Sequence, residues 1–318
     1  MLESSVVRTG LAAFAVMFAT AVAAEAADPA SCKKVRFSDV GWTDITATTA
    51  LTSRVLAGLG YQPSAEVLSV PVTYTSMKNK DIDVFLGNWM PTMDSIRKPY
   101  LDDKSVDVVG VNLEGAKYTL AVPAYTYDAG LKSFADVAKF RDKLAGKIYG
   151  IEPGNDGNKL ILDMIDKDTM GMKGFNLVES SEQGMLAQVQ RAVNAKQDIV
   201  FLGWEPHPMN TKFEMKYLSG GDDVFGPNYG GATVFTNTRA GYTGECPNLG
   251  TLLKNLVFEL KMENEVMGSI LFDGMDAAPA AEQWLKKNPT VLDKWLTGVT
   301  TIDGQPGLDA VKKSLGLS

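Results

Sequence analysis

The chain states one phrase twice. Asp83-Val84-Phe85-Leu86-Gly87-Asn88-Trp89 and Asp198-Ile199-Val200-Phe201-Leu202-Gly203-Trp204 are each an apolar run closed by Gly and, at once or one residue later, by Trp. A short unbroken apolar run of this kind reads as a strand buried on both faces, as in parallel sheets. A third run, Val35-Arg36-Phe37-Ser38-Asp39-Val40-Gly41-Trp42, ends the same way. Ligands of open α/β sheets sit beyond the carboxyl ends of the strands. Three Trp at predicted strand ends therefore predict a cleft with a wall from each half of the chain.

The surroundings of the phrase repeat as well. In the first half the pattern predicts a helix from Thr46 to Leu59 stopped by Gly60, a strand over 66–72 and a short helix over 73–80. In the second half it predicts a strand over 147–151, a turn over 153–158, a helix from Lys159 to Ile165, a strand over 175–179 and a helix over 182–195. At 318 residues there is chain enough for two lobes, each with a core. A strand over 115–123 leaves the first lobe and one over 230–240 returns. The tail reads as helices over 249–260, 263–271, 280–287 and 290–296, with Trp284 and Trp295 on apolar faces. Two crossings make a hinge. The predicted division is α/β, with residues 28–116 and 234–318 forming lobe 1 and 117–233 forming lobe 2.

Residues 1–27 stand apart. Arg8 precedes an uncharged run from Leu11 to Ala23, followed by Ala21-Val22-Ala23 and Ala24-Glu25-Ala26 as cleavage sites. At about 13 apolar residues this is a secretory signal, too short to span a bilayer. Without it the net charge of −7 becomes −6. An acidic surface of that kind disfavours nucleic acid and anionic lipid. Export also makes a disulfide the default for Cys32 and Cys246, which would bring the mature N-terminus beside residue 246.

A quaternary ammonium has no hydrogen-bond donor, so aromatic faces hold it by cation–π attraction. Trp42, Trp89 and Trp204 at strand ends, with Tyr118 at the first crossing, supply such faces. Asp44 offers a charge or a hydroxyl acceptor, or else caps the helix starting at Thr46. Asn155 can donate and accept, or simply shape its turn. Gly154-Asn155-Asp156-Gly157 lacks the lysine and spacing of a P-loop. The only histidine, His207, lies between Pro206 and Pro208 and reads as a loop residue; with no second His, zinc is not expected.

With those residues in view, the mature chain resembles the extracytoplasmic solute-binding proteins of ABC importers for quaternary ammonium compounds, and within them the choline binders. The resemblance implies two clamp-like α/β lobes of the periplasmic solute-binding type and a periplasmic location. It also implies a binding protein without enzymatic activity that works with ABC importer membrane subunits; a soluble monomer without cofactor is expected. Its ligand set would be an aromatic box of Trp42, Trp89, Tyr118 and Trp204, with Asp44 and Asn155 on the choline hydroxyl. An Asp there would repel the carboxylate of a betaine. Glycine betaine, proline betaine and acetylcholine are the alternative ligands. An exported hydrolase of choline esters, with Asp44 or Glu205 as base, is the alternative activity.

Overall fold

The structure, a computed structural model, describes residues 28–317 together with Met1; the rest of the predicted signal segment lies outside the described residues. Among the described residues one mixed sheet of nine strands runs through both halves, in the order Gln62–Val67 (β2), Lys34–Asp39 (β1), Val84–Met90 (β3), Gly231–Arg239 (β9), Val106–Pro123 (β4), Phe201–Glu205 (β7), Lys147–Tyr149 (β5) and Asn176–Val178 (β6), with Met215–Tyr217 (β8) beside β4.

The first half opens with β1 (Lys34–Asp39), α1 (Thr43–Gly58), β2 (Gln62–Val67), α2 (Val70–Lys78) and β3 (Val84–Met90). β1 is parallel to both β2 and β3, the arrangement that helical crossovers impose. After α3 (Asp94–Asp102) comes β4 (Val106–Pro123), 18 residues long. The second half repeats the first: β5 (Lys147–Tyr149), the helix Asp156–Asp166, β6 (Asn176–Val178), the helix Glu182–Ala195 and β7 (Phe201–Glu205). β5 is parallel to β6 and β7, so each half places its first strand between its second and third. β8 (Met215–Tyr217) and β9 (Gly231–Arg239) complete the sheet.

The two long strands join the halves. β9 pairs antiparallel with β3 and with β4 from Val106 to Lys117, whereas β4 from Lys117 to Ala121 pairs with β7. The result is a two-lobed α/β fold with two adjacent interlobe strands. Cys32 and Cys246 form a disulfide, with Cα atoms 5.8 Å apart. Next to it, Asp28 accepts from the backbone N–H groups of Asn248 and Leu249 and from the Tyr61 hydroxyl. α1 packs against the late helices Leu260–Leu271, Ala277–Lys287 and Gly307–Ser314, and Leu51, Val55 and Leu56 on it are fully buried.

Several local expectations give way. Residues 70–72 are helical, not part of a strand, because Pro71 sits in the first turn of α2, where its missing N–H costs nothing. α1 begins at Thr43 rather than Thr46, so Trp42 is its N-cap residue, not a strand end, and Asp44 lies in its first turn rather than at the cap. β4 starts nine residues before the predicted strand at Gly115, its first part interrupted by register shifts against β9. Of the two tail tryptophans, Trp295 is buried, whereas Trp284 is only partly so and donates to Glu265.

Candidate functional site

At the carboxyl ends of the parallel strands, where the halves face each other, Trp42, Asp44, Trp89, Tyr118, Ile151 and Trp204 line one small cavity, with about 240 Å³ of atom-free space when the adjoining open solvent is included. Trp42 comes from the turn after β1, Asp44 from α1, Trp89 from β3, Tyr118 from β4 and Trp204 from β7. Sequence separations of up to 162 residues between Trp42 and Trp204 close into a single enclosure. The Tyr118 ring stands edge-on between two indoles, 6.1 Å from Trp89 and 6.3 Å from Trp204 by ring centroids. All four rings are buried.

Asn155 takes a different place from the other predicted residues. It caps the helix Asp156–Asp166: its Oδ1 accepts from the backbone N–H of Asn158 at 2.9 Å and from the Tyr118 hydroxyl at 2.8 Å. It stands behind Tyr118 and holds that ring. Gly157, in the next turn, lies against the Tyr118 hydroxyl so closely that a side chain there would collide with it.

Asp44 brings the one carboxyl among the described cavity-lining residues, and other acids are buried around it. Asp44 is 1% exposed, and its Oδ1 has no hydrogen-bond partner among the described residues. Burial pushes its carboxyl well above the usual carboxylate range, and Glu182 and Asp39 add to the effect. Burial likewise holds Glu263 high, helped by Asp44. It lifts Glu152 to about 7 against the pull of its bond to Trp42, and Asp156 to about 6. Carboxyls act on one another here with no ammonium or guanidinium among the groups shifting them. Such a set favours a ligand that brings its own positive charge.

Two acids also tie the halves together. The Trp42 indole N–H donates to both Glu152 oxygens, at 2.9 and 3.0 Å. Glu182 accepts from the Thr43 backbone N–H and hydroxyl. His207 is 1% exposed rather than an ordinary loop residue. Its Nδ1 accepts from the backbone N–H of Met209 at 2.9 Å, so the proton sits on Nε2, 3.2 Å from Glu182. Sequence reading passed over Glu152 and Glu182. The available signal was positional: Glu152 stands three residues beyond β5 as Trp42 stands three beyond β1.

Of the two alternative hydrolase bases, only Asp44 lines the cavity. Glu205 is outside the cavity lining and lies 3.5 Å from Lys117 Nζ. Among the described residues no cluster of three or more His, Cys, Asp or Glu fits a metal ion, and no helix is long and apolar enough to cross a membrane.

Comparison with known proteins gives the same architecture. The family model for the substrate binding domain of ABC-type glycine betaine transport systems matches residues 33–287. An ABC-transporter choline binding protein in complex with choline is 65% identical, with a TM-score of 0.90 over 91% of this chain and 100% of that one. An ABC-transporter choline binding protein in an unliganded semi-closed conformation is 66% identical, with a TM-score of 0.83 over 90% of this chain and 100% of that one. Lactococcal OpuAC, closed and complexed with glycine betaine, is 28% identical, with a TM-score of 0.74 over 82% of this chain and 98% of that one.

Proposed function

The chain belongs to the family of substrate-binding domains of ABC-type glycine betaine transport systems, and from that premise we propose that it captures choline outside the cytoplasm and delivers it to importer membrane subunits. The observation that carries this reading is the cage: Trp42, Trp89, Tyr118 and Trp204 around a space that Asp44 also lines, with Asp44 Oδ1 lacking a hydrogen-bond partner among the described residues. A trimethylammonium head has nothing to donate and fits aromatic faces, each worth roughly 1–2 kcal/mol when desolvated. Four such contacts are compatible with micromolar affinity after ordering costs. Asp44 supplies the countercharge and an acceptor for the choline hydroxyl, while Asn155 keeps Tyr118 in place.

Choline is favoured over a betaine because Asp44 lines the cavity and no cationic side chain is among its described lining residues. A ligand carboxylate beside Asp44 would add like charge in a low-dielectric site. Residues 28–116 with 234–318 form one lobe and 117–233 the other, hinged on β4 and β9. Ligand draws the lobes together by binding the closed state better than the open one. Export by the 1–27 signal, a periplasmic location and a monomeric state complete the reading. A hydrolase has no support from the family or from Glu205.

A calorimetric competition series of choline, acetylcholine, glycine betaine and proline betaine tests it. Choline should bind stoichiometrically at micromolar concentrations, without turnover, and displace both betaines. Absence of choline binding at millimolar concentrations, or preference for a betaine, overturns the assignment.

A further inference from the structure

Trp42 is the only cage ring whose indole N–H meets a carboxylate in the described structure, and the acid comes from the opposite half. Glu152 lies in the turn after β5, 110 residues away in sequence, and both its oxygens receive the Nε1–H. Glu152 does not line the cavity. It forms no salt bridge among the described residues, so its charge is directed chiefly at the indole. An ionised acceptor makes a hydrogen bond shorter and stronger. Electron density pushed into the indole through its N–H also deepens the negative potential of the ring face, the potential that attracts a cation.

We infer that Glu152 is a positioning and specificity-determining residue that acts through Trp42: its charge tunes the ring for a cation, and the contact forms only when the halves are together. Recognition of charge is thereby linked to closure. The inference rests on the quaternary-ammonium reading of the site. The groups facing Glu152 are Trp42 from the turn before α1, Asn155 from its own turn, Asp156 from the start of the helix Asp156–Asp166, and Tyr118 from β4. Its raised proton affinity, near pH 7, places the change of charge within an accessible range.

The test compares choline with its uncharged carbon isostere, 3,3-dimethyl-1-butanol, by calorimetry. Glu152→Gln keeps a hydrogen-bond acceptor and removes the charge. It should weaken choline about tenfold and leave the isostere within about twofold. In a Trp42→Phe background, which has no N–H, the same substitution should have little further effect. Wild-type affinity for choline should fall as pH drops through about 7, and the Glu152→Gln protein should lack that step. Asp44, Asp156 and Glu182 remain in both proteins, so the difference between the profiles isolates Glu152. Equal losses for choline and isostere, an undiminished loss in the Trp42→Phe background, or a persistent step would overturn the inference. A wild-type protein that binds no choline at all would instead overturn the proposed function.

Discussion

Glu182 caps a helix in the other half of the molecule. Its Oε2 accepts the backbone N–H of Thr43 at 2.8 Å, across 139 residues of sequence. α1 needs this, because its N-cap residue, Trp42, makes no side-chain capping bond, and the first N–H groups of any helix lack intrahelical partners. A carboxylate at that end also complements the helix dipole. The neutral His207 ring donates to the same carboxylate and holds it in place. This cap is available only when the halves meet.

Glu182→Gln should therefore favour the open form. A charge-assisted bond is worth about 1.5–3 kcal/mol, so ligand dissociation should accelerate roughly ten- to hundredfold. Stopped-flow Trp fluorescence reads the rate, and an unchanged value would show that the cap contributes nothing to closure.

Asp44→Asn separates charge from hydroxyl recognition. Choline should lose more affinity than tetramethylammonium, which has no hydroxyl, with a difference of about tenfold. Calorimetry on both ligands decides it; equal losses would leave Asp44 a role through charge or helix structure alone.

Gly157→Ala places a methyl group where the Tyr118 hydroxyl lies. The hydroxyl must then leave Asn155, and the ring moves into the cavity. Choline affinity should drop more than tenfold, about 1.4 kcal/mol, while the unfolding temperature stays within a few degrees because the crowded ring has the cavity to move into. Affinity equal to wild type would show that Tyr118 need not be held.

The Cys32–Cys246 disulfide closes a loop spanning 214 residues. On the chain-entropy model such a closure stabilises by at most about 5 kcal/mol. Reduction should lower the unfolding temperature measured by calorimetry while choline still binds at 25 °C, since the bridge is remote from the cavity residues. Loss of binding before unfolding would tie the bridge to the site.

The duplicated Phe-Leu-Gly runs and their tryptophans were legible because burial on both strand faces leaves an unbroken apolar signature within a few residues. The helix Glu182–Ala195 was legible to its end residues for a similar reason: Ser181 caps it and an apolar stripe follows. The strand β4 was only half legible, since its early part pairs irregularly with β9 and carries no clean period. Asn155 was visible as a turn residue, but its bond to Tyr118 was not.

Local patterning, in short windows, was enough to dictate the α/β class, the two-fold repetition and which aromatic rings belonged near strand ends. The meeting of Glu152 with Trp42 and of Glu182 with Thr43 was left to the tertiary structure. Those contacts join residues more than a hundred positions apart, where no periodicity or propensity reaches. The long-range pairing of β3, β9, β4 and β7 creates them by bringing the two halves face to face.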